Sequence, residues 1–144
     1  VDDHRLVDCN LSLAKQLILA AGLHPNARRK WWPILLGLRG ASQTEADYQT
    51  RLADGEEEYW ELVEQADELY EAGEAATHDL YRRIDKDVYR CDRQLPMFSP
   101  HTADPECDLQ LPGLQSLRRI LRAHAILDPE LEYAQGMADL TSPF

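Results

Sequence analysis

The sequence predicts an all-α protein with no β-sheet. In almost every long segment, apolar residues recur at intervals of three and four, which is the spacing of a helix with one buried face. No segment alternates apolar and polar residues with the period of two that a half-buried strand requires. Glycine, proline and capping residues separate the helical segments. We therefore expect about six helices and one long loop.

The first two helices are expected near the start of the chain. Asp8 or Asn10 can cap the first, and Gly22 follows its last apolar residue. Asn26 is a candidate cap for the second helix. Pro33 is expected to break or kink that helix unless it opens a new turn, because proline has no N–H to donate.

A third, strongly acidic helix is expected after a glycine-rich loop at residues 37–42. Its acidic residues, including the run Glu56 to Glu58, are typical of a solvated face. The opposite face is expected to hold Tyr59, Leu62 or Val63, Ala66, and Leu69 or Tyr70.

The fourth helix is expected from Thr77 to about Arg90, and proline and glycine residues predict an irregular loop over residues 91–113. Inward positions on the fourth helix are Leu80 or Tyr81, Ile84 and Val88. After the loop, helical spacing resumes at Leu114, Leu117, Ile120 or Leu121, and Ala125. Asp128-Pro129 starts one more turn, and a last helix is expected near Gln135.

Composition narrows the possible partners. A chain of 144 residues can form one domain, and 44% hydrophobic residues indicate a globular core. The net charge of −11 disfavours nucleic acid as the main partner, because phosphate binding needs a cationic surface. It also disfavours adsorption to anionic lipid. With no apolar run of membrane-spanning length and no signal-peptide pattern, a cytoplasmic protein is expected.

The cysteines predict no metal site. Cys9, Cys91 and Cys107 are odd in number and form no C-x-x-C pair, which indicates free thiols. His101 lies near two of them in sequence, but the spacing fits no common zinc pattern.

The segment I-x-x-D-x-x-R is the first candidate site, with Ile84, Asp87 and Arg90 at its defined positions. Residues three apart on a helix project about 60° from each other, so the carboxylate can hold the guanidinium. An ordinary surface ion pair of little energetic value would have the same spacing.

The segment Y-x-Q-G is the second, with Tyr133, Gln135 and Gly136. Glycine permits a turn or a close backbone approach, and the tyrosine ring can be buried while its hydroxyl forms a hydrogen bond. The alternative is a helix N-terminus that carries a neutral glutamine.

Three segments together resemble the TBC domain, the Rab GTPase-activating domain. Residues 22–37 resemble its opening G-x-x-x-x-x-R-x-x-x-W pattern with a later L-L-G, on which Arg28, Trp32 and Gly37 fall. Residues 84–93 resemble its arginine-finger motif, and residues 131–143 resemble its glutamine-finger motif. The residues around both finger motifs are most similar to those of the subgroup related to yeast vacuolar Rab-activating proteins.

The resemblance implies a GTPase-activating protein in vesicle traffic whose partner is a Rab-family small GTPase in its GTP-bound form. It implies that Arg90 stabilises transition-state charge and that Gln135 orients the attacking water. It also implies that Gln135 displaces the GTPase's own glutamine, which the amides around Gly136 would receive. Asp87 would position Arg90, Ile84 would anchor its helix, and Tyr133 would bind the GTPase or support the fingers. We expect no cofactor, because the partner carries Mg²⁺ and GTP and this chain has no phosphate-binding G-x-x-x-x-G-K-[ST] loop. No independent catalytic activity is expected of the chain itself.

The sequence also departs from the family pattern. Cys91 stands where threonine is frequent, Glu132 where glycine is common, Ala134 where valine is usual, and Ala138 where serine is usual. Residues 1–144 are expected to form the N-terminal portion of the domain, without its C-terminal portion. Recruitment to membranes is expected through the partner or other regions of the protein. The alternative function is a catalytically silent Rab-binding scaffold.

Overall fold

The computed structural model describes residues 10–40, 43–99 and 108–143. Within these ranges the chain forms α-helices and one short 3-10 turn at Pro96–Phe98, and no strand. The predicted all-α class is therefore confirmed. The helices are α1 (Leu11–Ala21), α2 (Pro25–Leu35), α3 (Glu45–Glu71), α4 (Ala75–Arg90), α5 (Pro112–Leu127) and α6 (Met137–Thr141). None of those described is long and apolar enough to cross a membrane.

The chain divides into two compact units, Val1–Asp54 and Gly55–Phe144. In the first unit, α1 and α2 pack through a small core of Ala14, Ala27 and Trp31. Small residues at two of these three positions allow the helices to approach closely around the indole ring. Trp31 is therefore a structural residue of this core.

Capping of α1 agrees with the sequence. The side chain of Asn10 accepts a hydrogen bond from the backbone N–H of Leu13 at 2.9 Å, which satisfies one of the free donors of the first turn. Gly22 follows the helix with φ of 69°, a conformation that glycine adopts without strain. The alternative cap, Asp8, lies outside the described residues.

The predicted cap of α2 is wrong. His24, not Asn26, precedes the helix, and its Nδ1 accepts from the backbone N–H of Asn26 at 3.3 Å. The helix starts at Pro25 because the fixed φ of proline suits the first helical position. Pro33 lies inside the helix and does not break it there. It falls in the last turn, so the hydrogen bond it cannot donate is lost only two residues before the helix ends.

The acidic helix α3 has the solvated face that the sequence predicts. Val63 and Ala66 are buried, whereas Glu56 to Glu58 are exposed. Leu69 and Tyr70, the two alternatives for the last inward position, are both exposed, and the Tyr70 ring stacks on Tyr81 with centroids 5.8 Å apart.

The core of the second unit is formed by α4, the 3-10 turn, α5 and the segment before α6, with one residue each from α3 and α6. Of the alternatives that the sequence left open on α4 and α5, Tyr81 and Leu121 are the buried ones. The Tyr81 hydroxyl donates to the Ala66 carbonyl at 2.9 Å and so joins α4 to α3. The buried residues of this core are Ala66, Tyr81, Ile84, Val88, Cys91, Phe98, Leu109, Leu114, Leu117, Leu121, Tyr133 and Ala138.

Within the stretch predicted as a long irregular loop, the described residues include a 3-10 turn and the first residues of α5. The 3-10 turn inside it buries Phe98, and α5 begins at Pro112 rather than at Leu114. Gly113 allows the backbone of the 3-10 turn to approach α5 closely, because a Cβ there would lie 2.3 Å from the carbonyl oxygen of Met97. Residues 100–107 of this stretch lie outside the described part of the chain.

Candidate functional site

The last turn of α4 carries an ordered arginine. Arg90 Nη2 donates to Asp87 Oδ1 at 2.8 Å, and Arg90 Nε donates to the carbonyl of Lys86 at 2.9 Å. The Arg90 side chain is nevertheless 65% exposed, whereas that of Asp87 is 16% exposed. Two hydrogen bonds therefore fix one edge of the guanidinium and leave the rest accessible.

Tyr133 joins the second motif to the first. It is 5% exposed, and its hydroxyl donates to Asp87 Oδ2 at 2.8 Å. Burial, and then the hydrogen bond to Asp87, raise the pKa of Tyr133 well above its usual range. The phenol thus remains a donor at neutral pH, and each oxygen of Asp87 receives a hydrogen bond from a different motif.

Gly136 provides the turn that the sequence predicts at the second motif. Its φ of 97° lies in the left-handed region, where a residue with a Cβ is strained. A Cβ at Gly136 would meet nothing within 4 Å, so the backbone angle accounts for the glycine and not a close approach. The helix α6 begins at Met137, immediately after this turn, and Gln135 just before it is exposed.

The two motifs share a cleft of about 310 Å³, called here the finger cleft. Its lining is Arg83, Lys86, Asp87, Arg90, Tyr133 and Gln135. Gly136 follows the lining residue Gln135 in sequence. Ile84 lies in the core with no exposed surface.

Two residues of the finger cleft were not anticipated from the sequence, namely Arg83 and Lys86. Positions 83, 86, 87 and 90 are spaced as one helical face, so the helical period could have found them. The lining carries three cations and one carboxylate, although the whole chain has a net charge of −11. The cleft is therefore a local cationic surface on an acidic protein.

The helix that carries the finger cleft is joined to α5 by a charge network. Asp85 accepts from Arg118 Nε at 2.8 Å and Nη2 at 3.0 Å, and from Arg122 Nη2 at 3.1 Å and 3.2 Å. The Arg122 guanidinium also lies 4.3 Å from the centroid of the Tyr81 ring. These contacts join residues more than 30 positions apart in sequence, so local sequence patterns do not predict them.

Glu132, one of the departures from the family pattern, has an unusual backbone conformation. Its φ is 51°, a left-handed conformation that costs about 1–2 kcal/mol for a residue with a Cβ. Glycine adopts this conformation freely, which gives a physical reason for its frequency at this position. The carboxylate of Glu132 lies 3.7 Å from Arg83 Nη2, with both side chains exposed.

In the described part of the chain, no group of three His, Cys, Asp or Glu side chains could hold a metal ion. Cys91 is buried at the end of α4, and burial raises the pKa of its thiol to about 11. His101 and Cys107, the other members of the sequence cluster near Cys91, lie outside the described residues.

These features define an all-α domain with an exposed arginine and an exposed glutamine in one cationic cleft. The Rab-GTPase-TBC domain matches residues 25–144, and the chain therefore belongs to this family, as its sequence motifs predicted. It is 33% identical to GTPase-activating protein GYP7 of Candida glabrata, over 90% of this chain and 20% of that protein. It is 30% identical to GTPase-activating protein gyp7 of Schizosaccharomyces pombe, over 99% of this chain and 19% of that protein. With human TBC1 domain family member 16 it shares 28% identity, over 90% of this chain and 16% of that protein. The chain thus spans about one fifth of the length of these relatives.

Proposed function

We propose that this chain provides the catalytic residues of a GTPase-activating protein that acts on a Rab-family GTPase in its GTP-bound form. The observation that carries the proposal is the Asp87 carboxylate, which binds Arg90 through one oxygen and Tyr133 through the other. This arrangement brings an exposed guanidinium and an exposed carboxamide into one cleft. Two relatives are named GTPase-activating proteins.

Such a pair supplies what a slow GTPase lacks. Negative charge builds up on the transferred phosphoryl group and the leaving oxygen, and the attacking water is poorly oriented. A guanidinium inserted by a partner stabilises this charge and is worth about 10³ to 10⁵ in rate. Arg90 supplies that group, and Gln135 orients the water. The GTPase brings the nucleotide and Mg²⁺, so the chain itself contributes side chains only.

The surrounding residues position this pair. Asp87 holds Arg90 through one hydrogen bond, which reduces the conformational entropy lost when the partner binds. Ile84 anchors α4 in the core. The turn at Gly136 presents Gln135 next to backbone amides that can receive the glutamine displaced from the GTPase.

Single-turnover GTP hydrolysis across a panel of Rab proteins tests the proposal. We expect stimulation of one or a few Rabs by the wild-type protein and a loss of at least 10²-fold in Arg90→Ala. Arg90→Lys is expected to fail as well, because lysine cannot reproduce the planar fork. Arg51→Ala, which removes an exposed arginine of α3, is the matched control and should retain full stimulation.

The glutamine is tested in the same assay. Gln135→Ala should lose most of the stimulation while it retains binding to the GTP-bound Rab. Gln65→Ala removes an exposed glutamine of α3 and serves as its control. Full stimulation by Arg90→Lys would refute the arginine assignment. Binding of a Rab by the wild type without stimulation would identify a scaffold and reject the activator.

A further inference from the structure

A second groove lies on α4 beside the finger cleft. It has a volume of about 640 Å³, and we call it the aromatic groove. Its characteristic lining residues are Tyr70, His78, Tyr81, Arg82, Tyr89 and Leu109. Positions 78 to 89 of α4 extend over about 16 Å at the rise of a helix, the length of about five extended residues.

The floor of the aromatic groove is formed by aromatic and apolar side chains that pack on one another. Tyr81 and Leu109 are buried members of the core. The ring of Tyr70 lies 4.5 Å from that of His78 and 5.8 Å from that of Tyr81, measured between centroids. Aromatic surfaces that are already ordered can bury apolar side chains with little loss of rotamer entropy.

The rim of the aromatic groove is cationic. Arg82, Lys86 and Arg90 line it together with a single carboxylate, that of Asp85. Asp85 is neutralised by the two arginines of α5 that bind it at 2.8–3.2 Å. Arg82 pairs with Asp79 on the exposed surface, where such pairs contribute little. On a chain with a net charge of −11, this strip attracts acidic groups.

We propose that the aromatic groove is a second contact surface for the GTPase partner and that it takes an extended segment with apolar and acidic side chains. Lys86 and Arg90 line both the aromatic groove and the finger cleft, so a protein that covers the cleft also reaches the rim of the groove. Apolar side chains of the segment lie on the aromatic floor, and a carboxylate meets Arg82. This inference rests on the proposed function. It assigns part of the specificity for the GTPase partner to residues outside the two finger motifs.

The test compares the charge reversal Arg82→Glu with Arg51→Glu in the full-length protein. Arg82 is 66% exposed, and Arg51 is an exposed arginine of α3 with acidic residues at comparable helical spacing. The probe is the Rab that the wild type stimulates most, loaded with a non-hydrolysable GTP analogue for binding and with GTP for hydrolysis. We expect Arg82→Glu to raise Kd by about tenfold and to weaken its dependence on salt. The maximal hydrolysis rate at saturation should stay unchanged, and Arg51→Glu should match the wild type in both measurements.

Tyr70→Ala is an independent variant of the apolar floor and is expected to raise Kd severalfold, with circular dichroism to verify folding. Unchanged Kd in both groove variants would overturn the inference while normal stimulation left the proposed function intact. A lower maximal rate at unchanged Kd would also overturn it. The inference would also be overturned if Arg82→Glu abolished binding to phosphatidylserine vesicles and left binding to the GTPase unchanged. If the wild type stimulates and binds no Rab, the proposed function fails first.

Discussion

The hydrogen bond between Tyr133 and Asp87 leads to a quantitative prediction. Tyr133→Phe removes only the hydroxyl that donates to Asp87 Oδ2 at 2.8 Å. Hydrogen bonds to charged groups contribute about 1.5–3 kcal/mol. Because the Asp87 side chain is 16% exposed, water can replace part of this bond. We expect the free energy of unfolding to fall by about 1–2 kcal/mol.

Urea denaturation of a double-mutant cycle isolates this interaction. The cycle combines Tyr133→Phe with Asp87→Ala and should give a coupling energy of about 1 kcal/mol. Tyr70→Phe removes a hydroxyl from an exposed ring and should change stability by less than about 0.5 kcal/mol. The maximal rate of GTP hydrolysis should fall by about three- to tenfold in Tyr133→Phe, since Arg90 stays present but is less well held. A coupling energy near zero would refute the reasoning.

The pH dependence of stability provides a second test of the same bond. Burial and the bond to Asp87 raise the pKa of Tyr133 in the folded protein above its unfolded value of about 10. The folded state therefore binds this proton more tightly, and the resulting stability is fully present below pH 10 and is lost as the pH rises above it. We expect the stability difference between wild type and Tyr133→Phe to be constant from about pH 7 to 9 and to shrink at higher pH. A difference that grows above pH 10 would contradict this sign.

Three further predictions concern the backbone and the buried thiol. Glu132→Gly should raise the free energy of unfolding by about 0.5–1 kcal/mol, because it removes left-handed strain; Glu132→Ala, which keeps the Cβ, should not show this gain in urea denaturation. Gly113→Ala should lower stability by about 1–3 kcal/mol through contact with the Met97 carbonyl, whereas Gly55→Ala in an open helical position should raise it by about 0.5–1 kcal/mol. Cys91 should resist iodoacetamide at pH 8 in the folded protein and react in urea, because burial raises its thiol pKa to about 11. Peptide mass spectrometry measures the labelling, and equal labelling rates in the folded and unfolded states would reject the buried position.

The sequence predicts best where local patterns and burial agree. The period of apolar residues identified Ile84 and Val88 as inward, and both lie in the core. The cap at Asn10 and the glycine after α1 were also readable, because they depend on a few adjacent residues. The α2 cap was misjudged because the preference of proline for the first helical position outweighed that of asparagine for the cap.

The contacts of the candidate site between residues distant in sequence could not be predicted from local patterns. The spacing of Asp87 and Arg90 predicts their ion pair, and the structure has it. That the hydroxyl of Tyr133 would reach the same carboxylate depends on how residues far apart in sequence pack around α4 and α5. The roles of these residues in GTP hydrolysis stay predictions, which the kinetic experiments above address.

The way Arg90 is held also has a consequence for binding. Its Nε is bonded to the carbonyl of its own helix and its Nη2 to Asp87, so the guanidinium is folded back in the free protein. If Arg90 enters a nucleotide pocket as proposed, its Nε exchanges the Lys86 carbonyl for phosphate oxygens. A charged phosphate would replace the lost hydrogen bond better than a neutral ligand, because charge-assisted hydrogen bonds are the stronger ones. On this proposal, the Lys86 carbonyl would add to the preference of Arg90 for a densely charged anion.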